Sequence, residues 1–395
     1  MSKKITIGLF NDSFFPVVDG VVMVIDNYAR RLSKYANIIV FVPDYYNRIG
    51  DDSEFPYKVV RCRSLKVPFI DYSLSVPKFD KSFKEELSKY NLDIVHIHSP
   101  FTIGRLGIMY AKKHNIPCVA TMHSQFKRDV LRYVKSDLIA SKINYQIIKC
   151  FDKCDECWAV NSEIARIFYE DYHVKRMPKV MNNATEMTPV KDPKKSINFI
   201  NKKHHLNNSY KVFLFVGRIN KLKNVLFIAD SIKALKEKKP HFKFKMIYVG
   251  SGQDEQELKE YITKLNLEED VIMTGNITDR WELASYYQRV DLLLFPSFYD
   301  ASSIVQIEAA SQKTPGIFLE NTATSATVTD NVNGYISKNS PDAYSDKIIE
   351  VLSDPKKYKT VCEKAYQDLY KTWSDVTNEI YDNYIKLIEM NSNKK

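Results

Sequence analysis

A repeated alternation of short apolar runs with amphipathic stretches constrains this fold more than any other feature of the sequence. Each run ends at polar or turn-forming residues, and a stretch with helical periodicity follows. Strands that alternate with helices form parallel sheets. Polar residues at 187–210 separate two series of such units and predict a linker. We therefore expect an α/β protein in which strands lie within residues 5–10, 38–43, 93–100, 116–123, 156–162 and 180–186, and then 211–216, 244–252, 271–275, 290–295 and 314–320.

Chain length and apolar content suggest two domains without a membrane span. The 395 residues exceed what one hydrophobic core usually supports. No apolar run approaches the ~20 residues of a transmembrane helix, and the first residues lead into a strand-like run rather than a signal peptide. We expect a cytoplasmic protein, with peripheral association at the inner face of the cell membrane as an extension of that prediction.

Charge and cysteine content narrow the classes of partner. A net charge of +10 and a pI near 9.0 favour anionic partners, which include nucleotide sugars, anionic lipid surfaces and nucleic acid. Nucleic acid is the weakest of these, because no short nucleic-acid-binding motif is present. The chain has 6 cysteines, and the group Cys150, Cys154 and Cys157 lacks a second ligand pair at zinc-site spacing. These cysteines are interpreted as structural, reduced thiols.

Residues 290–310 predict a strand that passes directly into a helix. The apolar run 290–295 ends at Pro296, and either Ser302 or Ser303 can cap the helix that carries Ile304 and Glu308. The free N–H groups at such a helix N-terminus favour a pyrophosphate. Asp300 and Glu308 place two carboxylates beside this terminus, although such a pair also fits a solvated helix face.

A basic loop follows the first strand of the second series. Gly217, Arg218 and Lys223 come directly after the apolar run 211–216. Two cations at this place can offset the charge of a diphosphate and stabilise it as it departs. The alternative is a solvated basic loop.

These two segments resemble the motifs of retaining glycosyltransferases with the GT-B fold, especially glycosyltransferase family 4 (glycosyltransferase group 1). The pair Asp300 and Glu308 matches the family's Glu-x7-Glu signature, with Asp-Ala-Ser-Ser in place of Glu-Gly-Phe-Gly. Gly217, Arg218 and Lys223 match its Gly-Arg-x4-Lys segment position by position. The resemblance implies two facing Rossmann-like domains with an interdomain cleft. It predicts an N-terminal, acceptor-side domain at 1–187, completed by a C-terminal helix at about 374–395, and a nucleotide-sugar-binding domain at 188–373.

The resemblance also assigns roles to individual residues. It implies that Glu308 holds the nucleotide ribose, that Asp300 contacts the donor sugar, and that Arg218 and Lys223 bind the pyrophosphate. The family's Gly-Gly after the strand at 314–320 is absent, which leaves the identity of the sugar open. Predicted donor-binding residues are Gly20, Gly217, Arg218, Lys223, Gly250, Ser302, Ser303, Ile304 and Glu308.

Histidines and a basic segment complete the predicted site. His96 and His98 alternate on one strand and could suggest a metal, but packing and loop-orienting roles are favoured because no third ligand lies nearby. His123 ends a strand, and the resemblance implies that it contacts the donor sugar and shapes the reaction centre; a loop histidine bound only to backbone is the alternative. Predicted catalytic residues are His123, Arg218, Lys223 and Asp300, and predicted acceptor-side residues are Lys127 and Arg128.

Residues 126–154 predict one long amphipathic helix with a basic face. Such a helix can lie on an anionic membrane, although a surface helix with one core-facing side is the more common case. Its cations are Lys127, Arg128, Arg132, Lys135 and Lys142.

The predicted function is a retaining glycosyltransferase that moves a hexosyl unit from a nucleotide-diphospho-sugar, preferably a UDP-sugar and alternatively a GDP-sugar. The acceptor is predicted to be a lipid, a lipid-linked glycan or a surface glycan, and an anionic membrane surface is a further expected partner. No Asp-x-Asp motif is present, so we expect neither a metal nor another cofactor. Two alternatives are a non-catalytic carbohydrate-binding or accessory subunit, and an epimerase or phosphorylase of the same fold.

Overall fold

The computed structural model describes residues 4–45, 51–66, 73–134, 136–298 and 300–393, without the side chains at positions 132 and 133. The chain divides into two compact units. The first comprises Met1–Asn183 together with Trp373–Lys395, and the second comprises Ala184–Thr372. Lys135, one of the predicted basic-face residues, lies outside the described residues, as does the side chain of Arg132.

The first unit is built on a parallel sheet. Its described residues form seven strands in the order β3-β2-β1-β6-β7-β8-β9, and β4 and β5 pair separately as an antiparallel ribbon. The strands are β1 (Thr6–Phe10), β2 (Asn37–Pro43), β3 (Lys58–Cys62), β4 (Ser64–Lys66), β5 (Ser73–Ser75), β6 (Ile94–Ile97), β7 (Cys118–Met122), β8 (Glu156–Ala159) and β9 (Lys179–Val180). The helices are α1 (Gly20–Leu32), α2 (Lys81–Ser88), α3 (Thr102–His114), α4 (Phe126–Val134), α5 (Asp137–Phe151) and α6 (Ser162–Arg166).

The prediction of one helix over residues 126–154 is wrong. The structure has two helices here, because α4 ends at Val134 and α5 begins at Asp137. Ser136 has an extended backbone at the N-cap position of α5. The Ser136 side chain makes no cap hydrogen bond; the extended, non-helical backbone at this residue is what separates the two helices where the apolar periodicity predicts continuation.

Strand β3 lies between the predicted strands at 38–43 and 93–100, where the sequence analysis predicts no strand. Its apolar residues Val59, Val60 and Cys62 are buried, yet Arg61 interrupts the run. Arg61 is accommodated because Asp52 accepts its guanidinium at 2.8 Å. A cation within a strand interrupts the apolar run, and apolar periodicity does not show that Asp52, in the preceding loop, compensates its charge.

The second unit has its own parallel sheet, in which the described residues form six strands in the order β12-β11-β10-β13-β14-β15. They are β10 (Lys211–Val216), β11 (Phe244–Val249), β12 (Val271–Met273), β13 (Leu292–Phe295), β14 (Gly316–Leu319) and β15 (Tyr335–Ser337). The helices are α7 (Pro193–Lys203), α8 (Val225–Lys238), α9 (Glu255–Lys264), α10 (Arg280–Arg289), α11 (Ile304–Ser311), α12 (Pro341–Ser353) and α13 (Pro355–Leu369). These sheets confirm the predicted α/β class with two Rossmann-like parallel-sheet domains.

The segment 187–210, which the sequence predicts as a linker, instead contains a helix that belongs to the second unit. Helix α7 begins after Asp192, whose side chain caps it by accepting the N–H of Lys195 at 3.0 Å. Ile200 is fully buried in the core of the second unit, and α7 packs against α10. The helix presents mostly polar residues to solvent and buries a narrow stripe, so its composition resembles that of a linker.

The last helix, α14 (Trp373–Ser392), belongs to the first unit and packs against α1. Trp373 and Tyr384 on α14 are buried. Tyr384 stacks on Trp158 with ring centroids 5.6 Å apart, and its hydroxyl lies 2.5 Å from Nδ1 of His96. The chain therefore returns to the first unit through an aromatic cluster at residues remote in sequence.

Candidate active site

Strands β10 and β13 lie side by side in the second unit and create a natural ligand-binding edge. β10 pairs with β11 on one side and with β13 on the other, so the chain changes direction along the sheet at this point. In open parallel sheets, ligands bind beyond the carboxyl ends of the strands at such a switch. The loop with Arg218 and Lys223 follows β10, and the loop with Asp300 follows β13. The fold thus brings together two segments that are about 80 residues apart in sequence, the separation of Lys223 and Asp300 being 77.

Lys223 and Asp300 form an ion pair between Nζ and Oδ1. Each side chain is 18% exposed, so solvent screens the pair only in part. The ammonium also lies 5.7 Å from the centroid of the Phe295 ring, within the range of a cation–π contact. The second oxygen of Asp300, Oδ2, is buried and has no hydrogen-bond partner among the described residues.

Arg218 differs from Lys223, although both follow the same strand. Its side chain is exposed, and within the described part of the chain it makes no ion pair. Lys223 is held by local structure, because Asn220 accepts the backbone N–H of Lys223 at 3.1 Å and caps a 3-10 turn, Lys221–Lys223. Of the two cations predicted to bind phosphate, Lys223 is therefore already paired with a carboxylate, whereas Arg218 makes no ion pair with a described residue.

Ser303 caps helix α11. Its Oγ accepts the N–H of Gln306 at 3.3 Å, and its backbone is extended, as an N-cap requires. The sequence analysis did not decide whether Ser302 or Ser303 caps the helix, and in the structure the cap is Ser303. Ser302 and Ile304 are partly exposed beside it. The remaining N–H groups of the first turn have no intrahelical acceptor and can bind an anion.

Glu308 is buried on α11 and accepts two hydrogen bonds from α10. Tyr287 donates its hydroxyl to Oε2 at 3.0 Å, and Arg280 donates Nη2 to Oε1 at 2.9 Å. Burial first, and then the charge of Glu308, raise the pKa of Tyr287, so its hydroxyl stays protonated and donates. Sequence reasoning missed Arg280 and Tyr287, because only the packing of α10 on α11 brings them to Glu308.

Two predicted glycines lie where neighbouring loops nearly touch. Gly217 has φ +151° and Gly250 has φ +134°. A Cβ built on Gly250 would lie 2.0 Å from the carbonyl oxygen of Gly217. Glycine at 250 therefore lets the loop after β11 approach the loop after β10, whatever ligand binds there.

Gly20 is placed differently from those glycines. It is the first residue of α1 and exposed, and a Cβ built on it meets nothing within 4 Å. Asp19 caps the helix by accepting the N–H of Val22 at 2.8 Å. The structure thus gives no conformational reason for glycine at position 20, and its contact with a donor remains a prediction.

Asp12, which the sequence analysis did not single out, organises the loop before α1. Its carboxylate accepts Thr102 Oγ1 and the N–H of Ile103, both at 2.8 Å, at the start of α3. Phe101 occupies the N-cap position of α3 and makes no side-chain cap bond. Asp12 therefore caps a helix from about 90 residues away, and the separation of 91 from Ile103 leaves no local motif to find it.

Three histidines form a connected group in the first unit. His96 Nε2 lies 2.7 Å from Thr121 Oγ1, and His98 Nδ1 lies 3.0 Å from His123 Nε2. His98 Nε2 is buried without a partner among the described residues. Burial lowers the pKa of His96 and His98 well below the usual value and that of His123 to about 3, so all three are neutral at physiological pH. Each is then able to accept a hydrogen bond.

The predicted acceptor-side cations both have partners. Lys127 Nζ lies 2.9 Å from Asp137 Oδ1, and Arg128 Nη1 donates to Gln125 Oε1 at 3.3 Å. The exposed apolar side chains of this region are on α5 instead, where Leu138 is 82% and Ile139 49% exposed.

The cysteine group contains close thiols. Cys118 Sγ and Cys154 Sγ are 3.7 Å apart, and both side chains are buried. Desolvation raises the pKa of Cys150 to about 11, which disfavours its thiolate. Among described residues, no group of three or more His, Cys, Asp and Glu side chains is arranged to hold a metal ion. In the same part of the chain, no helix is long and apolar enough to cross a membrane.

Comparison with known proteins assigns both units to one kind of enzyme. Residues 18–185 match the family model described as Glycosyltransferase Family 4, and residues 196–368 match Glycosyl transferases group 1. The chain is 26% identical to an alpha-monoglucosyldiacylglycerol synthase of Streptococcus pneumoniae, over 95% of this chain and 85% of that protein. The protein of the same description from Acholeplasma laidlawii is 24% identical over 98% of both chains.

The fold also occurs in solved structures. Sucrose-phosphate synthase from Thermosynechococcus elongatus superposes with a TM-score of 0.76, covering 98% of this chain and 100% of that chain. Sequence identity to it is 18%, so this likeness speaks for the fold alone.

Proposed function

Because the chain belongs to glycosyltransferase family 4 (group 1) and has the GT-B fold, we propose that it transfers a hexosyl unit from a nucleotide-diphospho-sugar to a lipid acceptor with retention of configuration. The observation that carries this proposal is the grouping of Arg218, Lys223, Asp300 and the α11 N-terminus at the β10–β13 edge.

The donor is proposed to bind across this edge. Arg218 and the first turn of α11 meet the diphosphate, and Glu308, held by Tyr287 and Arg280, accepts the ribose hydroxyls. A carboxylate oxygen has more than one acceptor position, so Glu308 keeps capacity for the ribose while bound to its neighbours. A UDP-sugar is the favoured donor, with a GDP-sugar as the alternative.

Electrostatic stabilisation of the departing diphosphate is proposed as the main catalytic contribution. Arg218, Lys223 and the helix N-terminus would direct positive charge and N–H donors at the departing diphosphate. They would supply the positive charge that a metal ion provides elsewhere, and no metal is included in the proposal. His123 is proposed to contact the donor sugar as a neutral acceptor, in keeping with its lowered pKa.

A lipid of the diacylglycerol type is the proposed acceptor. Two relatives that span nearly this whole chain are described as alpha-monoglucosyldiacylglycerol synthases, which supports a glucosyl donor and a membrane lipid acceptor. A lipid-linked or surface glycan is the remaining alternative for the acceptor.

Helix α5 is proposed to hold the first unit on an anionic membrane. Leu138, Ile139 and Tyr145 are 82%, 49% and 55% exposed, and exposed Lys142 and Lys149 lie among them on the same helix. Apolar and basic side chains together favour the interface of an anionic bilayer. Lys127, paired with Asp137, is left out of this proposed surface.

The direct test supplies diacylglycerol in mixed vesicles together with labelled UDP-glucose or GDP-mannose, and follows label in the lipid phase. The proposal expects a glycolipid with one of these donors and an α linkage by NMR. A β linkage would exclude retention from these α-linked donors. Absence of transfer from every nucleotide sugar tested, to diacylglycerol and to lipid-linked glycans, would contradict the proposed function.

A further inference from the structure

The ion pair between Lys223 and Asp300 occupies two groups to which the family motifs assign separate ligands. Lys223 is proposed to face the diphosphate and Asp300 the donor sugar, yet in this structure Nζ and Oδ1 contact each other. Both side chains are largely shielded from water, at 18% exposure each. Asp300 therefore competes with the diphosphate for Lys223, and Lys223 competes with the sugar for Asp300.

The pair leaves one carboxylate oxygen unsatisfied. Oδ2 of Asp300 is buried and has no hydrogen-bond partner among the described residues. A buried acceptor without a donor is unfavourable. A ligand that donates a hydroxyl hydrogen bond to Oδ2 therefore has a more favourable binding free energy than a ligand that does not.

A nucleotide sugar and a nucleoside diphosphate differ in this respect. The sugar carries hydroxyl donors, whereas the diphosphate group brings only negative charge close to a carboxylate. Like charges at short distance disfavour each other, most strongly where water is partly excluded. Arg218 is exposed and has no such competitor in the described part of the chain, so it treats both ligands alike.

We propose that Asp300 makes the site discriminate between the nucleotide sugar and the nucleoside diphosphate: sugar hydroxyls bind the unsatisfied Oδ2 and replace Lys223 at Oδ1, and only then is Lys223 released. With the sugar bound, Asp300 accepts hydroxyl groups and Lys223 turns to the diphosphate. After transfer the sugar is gone, Asp300 recovers Lys223, and the remaining diphosphate is held weakly. This inference rests on the proposed function and adds a device for product release to it.

The test compares binding of UDP and UDP-glucose to the wild type and to Asp300→Asn, with GDP and GDP-mannose in parallel. Asparagine keeps the size of the side chain and removes its charge. The affinity for the nucleoside diphosphate should rise about tenfold, while that for the nucleotide sugar should stay equal or fall. In steady-state assays, inhibition by the diphosphate should strengthen by a similar factor.

The matched control is Asp270→Asn. Asp270 Oδ2 lies 2.7 Å from Lys236 Nζ in the same unit, so this variant removes one carboxylate from an ordinary Lys–Asp pair and changes the net charge equally. It should leave both affinities unchanged. An equal rise in Asp270→Asn would assign the effect to net charge and overturn the inference.

A second variant covers the case in which Asp300→Asn does not fold. Lys223→Gln removes the group for which Asp300 and the diphosphate compete, so the wild-type preference for nucleotide sugar over diphosphate should shrink. An unchanged preference in a folded variant overturns the inference. If the wild type binds none of the four nucleotides, the proposed function itself fails. If it binds them but the variants show the same preference for nucleotide sugar over diphosphate, only the role of Asp300 is contradicted.

Discussion

Tyr287 donates its hydroxyl to Oε2 of Glu308 at 3.0 Å, and both side chains are buried between α10 and α11. A buried carboxylate must be hydrogen-bonded to stay charged at low cost. This contact therefore fixes the orientation of the residue that is proposed to hold the ribose, and it gives the first of the testable predictions.

Replacing Tyr287 with Phe should weaken donor binding more than it slows the chemical step. The loss of a hydrogen bond to a charged group is worth about 1.5–3 kcal/mol, and we expect KM for the donor to rise with a smaller change in kcat. Tyr286→Phe is the control. Tyr286 lies on the same helix as Tyr287, but its hydroxyl is 2.7 Å from His204 Nε2, so this variant removes a hydroxyl contact that does not involve Glu308. Equal kinetic effects of the two variants would argue that Tyr287 serves stability alone.

Arg218→Ala and Lys223→Ala should each lower turnover by about two to three powers of ten, the scale found when one preorganised charge stabiliser is removed. Circular dichroism should be unchanged. Lys259→Ala removes a lysine that pairs with Glu255 on α9 and serves as the control. Full activity in both site variants would show that the phosphate is bound elsewhere.

Initial rates should be the same with and without a chelator. The physical reason is that Arg218, Lys223 and the α11 N-terminus are proposed to supply the positive charge for the leaving diphosphate. Rates are measured after dialysis against EDTA, with Mg²⁺ and Mn²⁺ restored separately. A strict requirement for either ion would refute this leaving-group mechanism.

Acidification below about pH 6.5, the usual pKa of histidine, should destabilise the protein through the histidine group. Burial lowers the pKa of His123 to about 3 and those of His96 and His98 well below the usual value. As the pH falls below 6.5, these histidines therefore bind protons in the unfolded chain but stay neutral in the folded chain. The stabilisation is complete above pH 6.5 and is lost as the pH falls toward the folded pKa values, by up to about 1.4 kcal/mol per pH unit for each histidine.

This dependence is measured as the free energy of unfolding in urea between pH 7.5 and 5. His123→Asn should make the fall with pH shallower, whereas His241→Asn, at an exposed position, should leave the slope unchanged. The same slope in His123→Asn as in the wild type would show that His123 is not held neutral by the fold.

The double variant Lys142→Glu, Lys149→Glu should lose sedimentation with anionic vesicles and keep nucleotide-sugar binding in solution. Each basic residue near an anionic surface contributes about 1 kcal/mol, and the attraction is screened by salt. Lys194→Glu with Lys195→Glu on α7 makes the same charge change in the other unit and should sediment as the wild type does. Wild-type binding that is equal for neutral and anionic vesicles would contradict an electrostatic role for α5.

Local pattern predicted most strands because a buried parallel strand is a short apolar run with clear ends. It failed at β3, where Arg61 is paired with Asp52, and at α7, whose buried stripe is narrow. It also joined α4 and α5 across Ser136, because the apolar residues continue at helical spacing on both sides. For α7 the deciding contact is with α10, which is remote in sequence. At β3 and at Ser136 the deciding residues are nearby, but apolar periodicity detects neither an ion pair nor a change of backbone conformation.

The sequence by itself determined the α/β class, the family, the position of Arg218, Lys223 and Asp300 after strand ends, and the position of Glu308 on the helix that follows, because motif spacing and apolar periodicity are local properties of the chain. Only the tertiary structure decided which of these groups already have partners. Lys223, after β10, forms an ion pair with Asp300, after β13. Glu308 on α11 accepts hydrogen bonds from Tyr287 and Arg280 on α10. Asp12 caps α3 in the same way, from a loop on another strand. Charge pairing depends on distances between elements, and those distances are set when the sheet orders its strands and the helices pack on it.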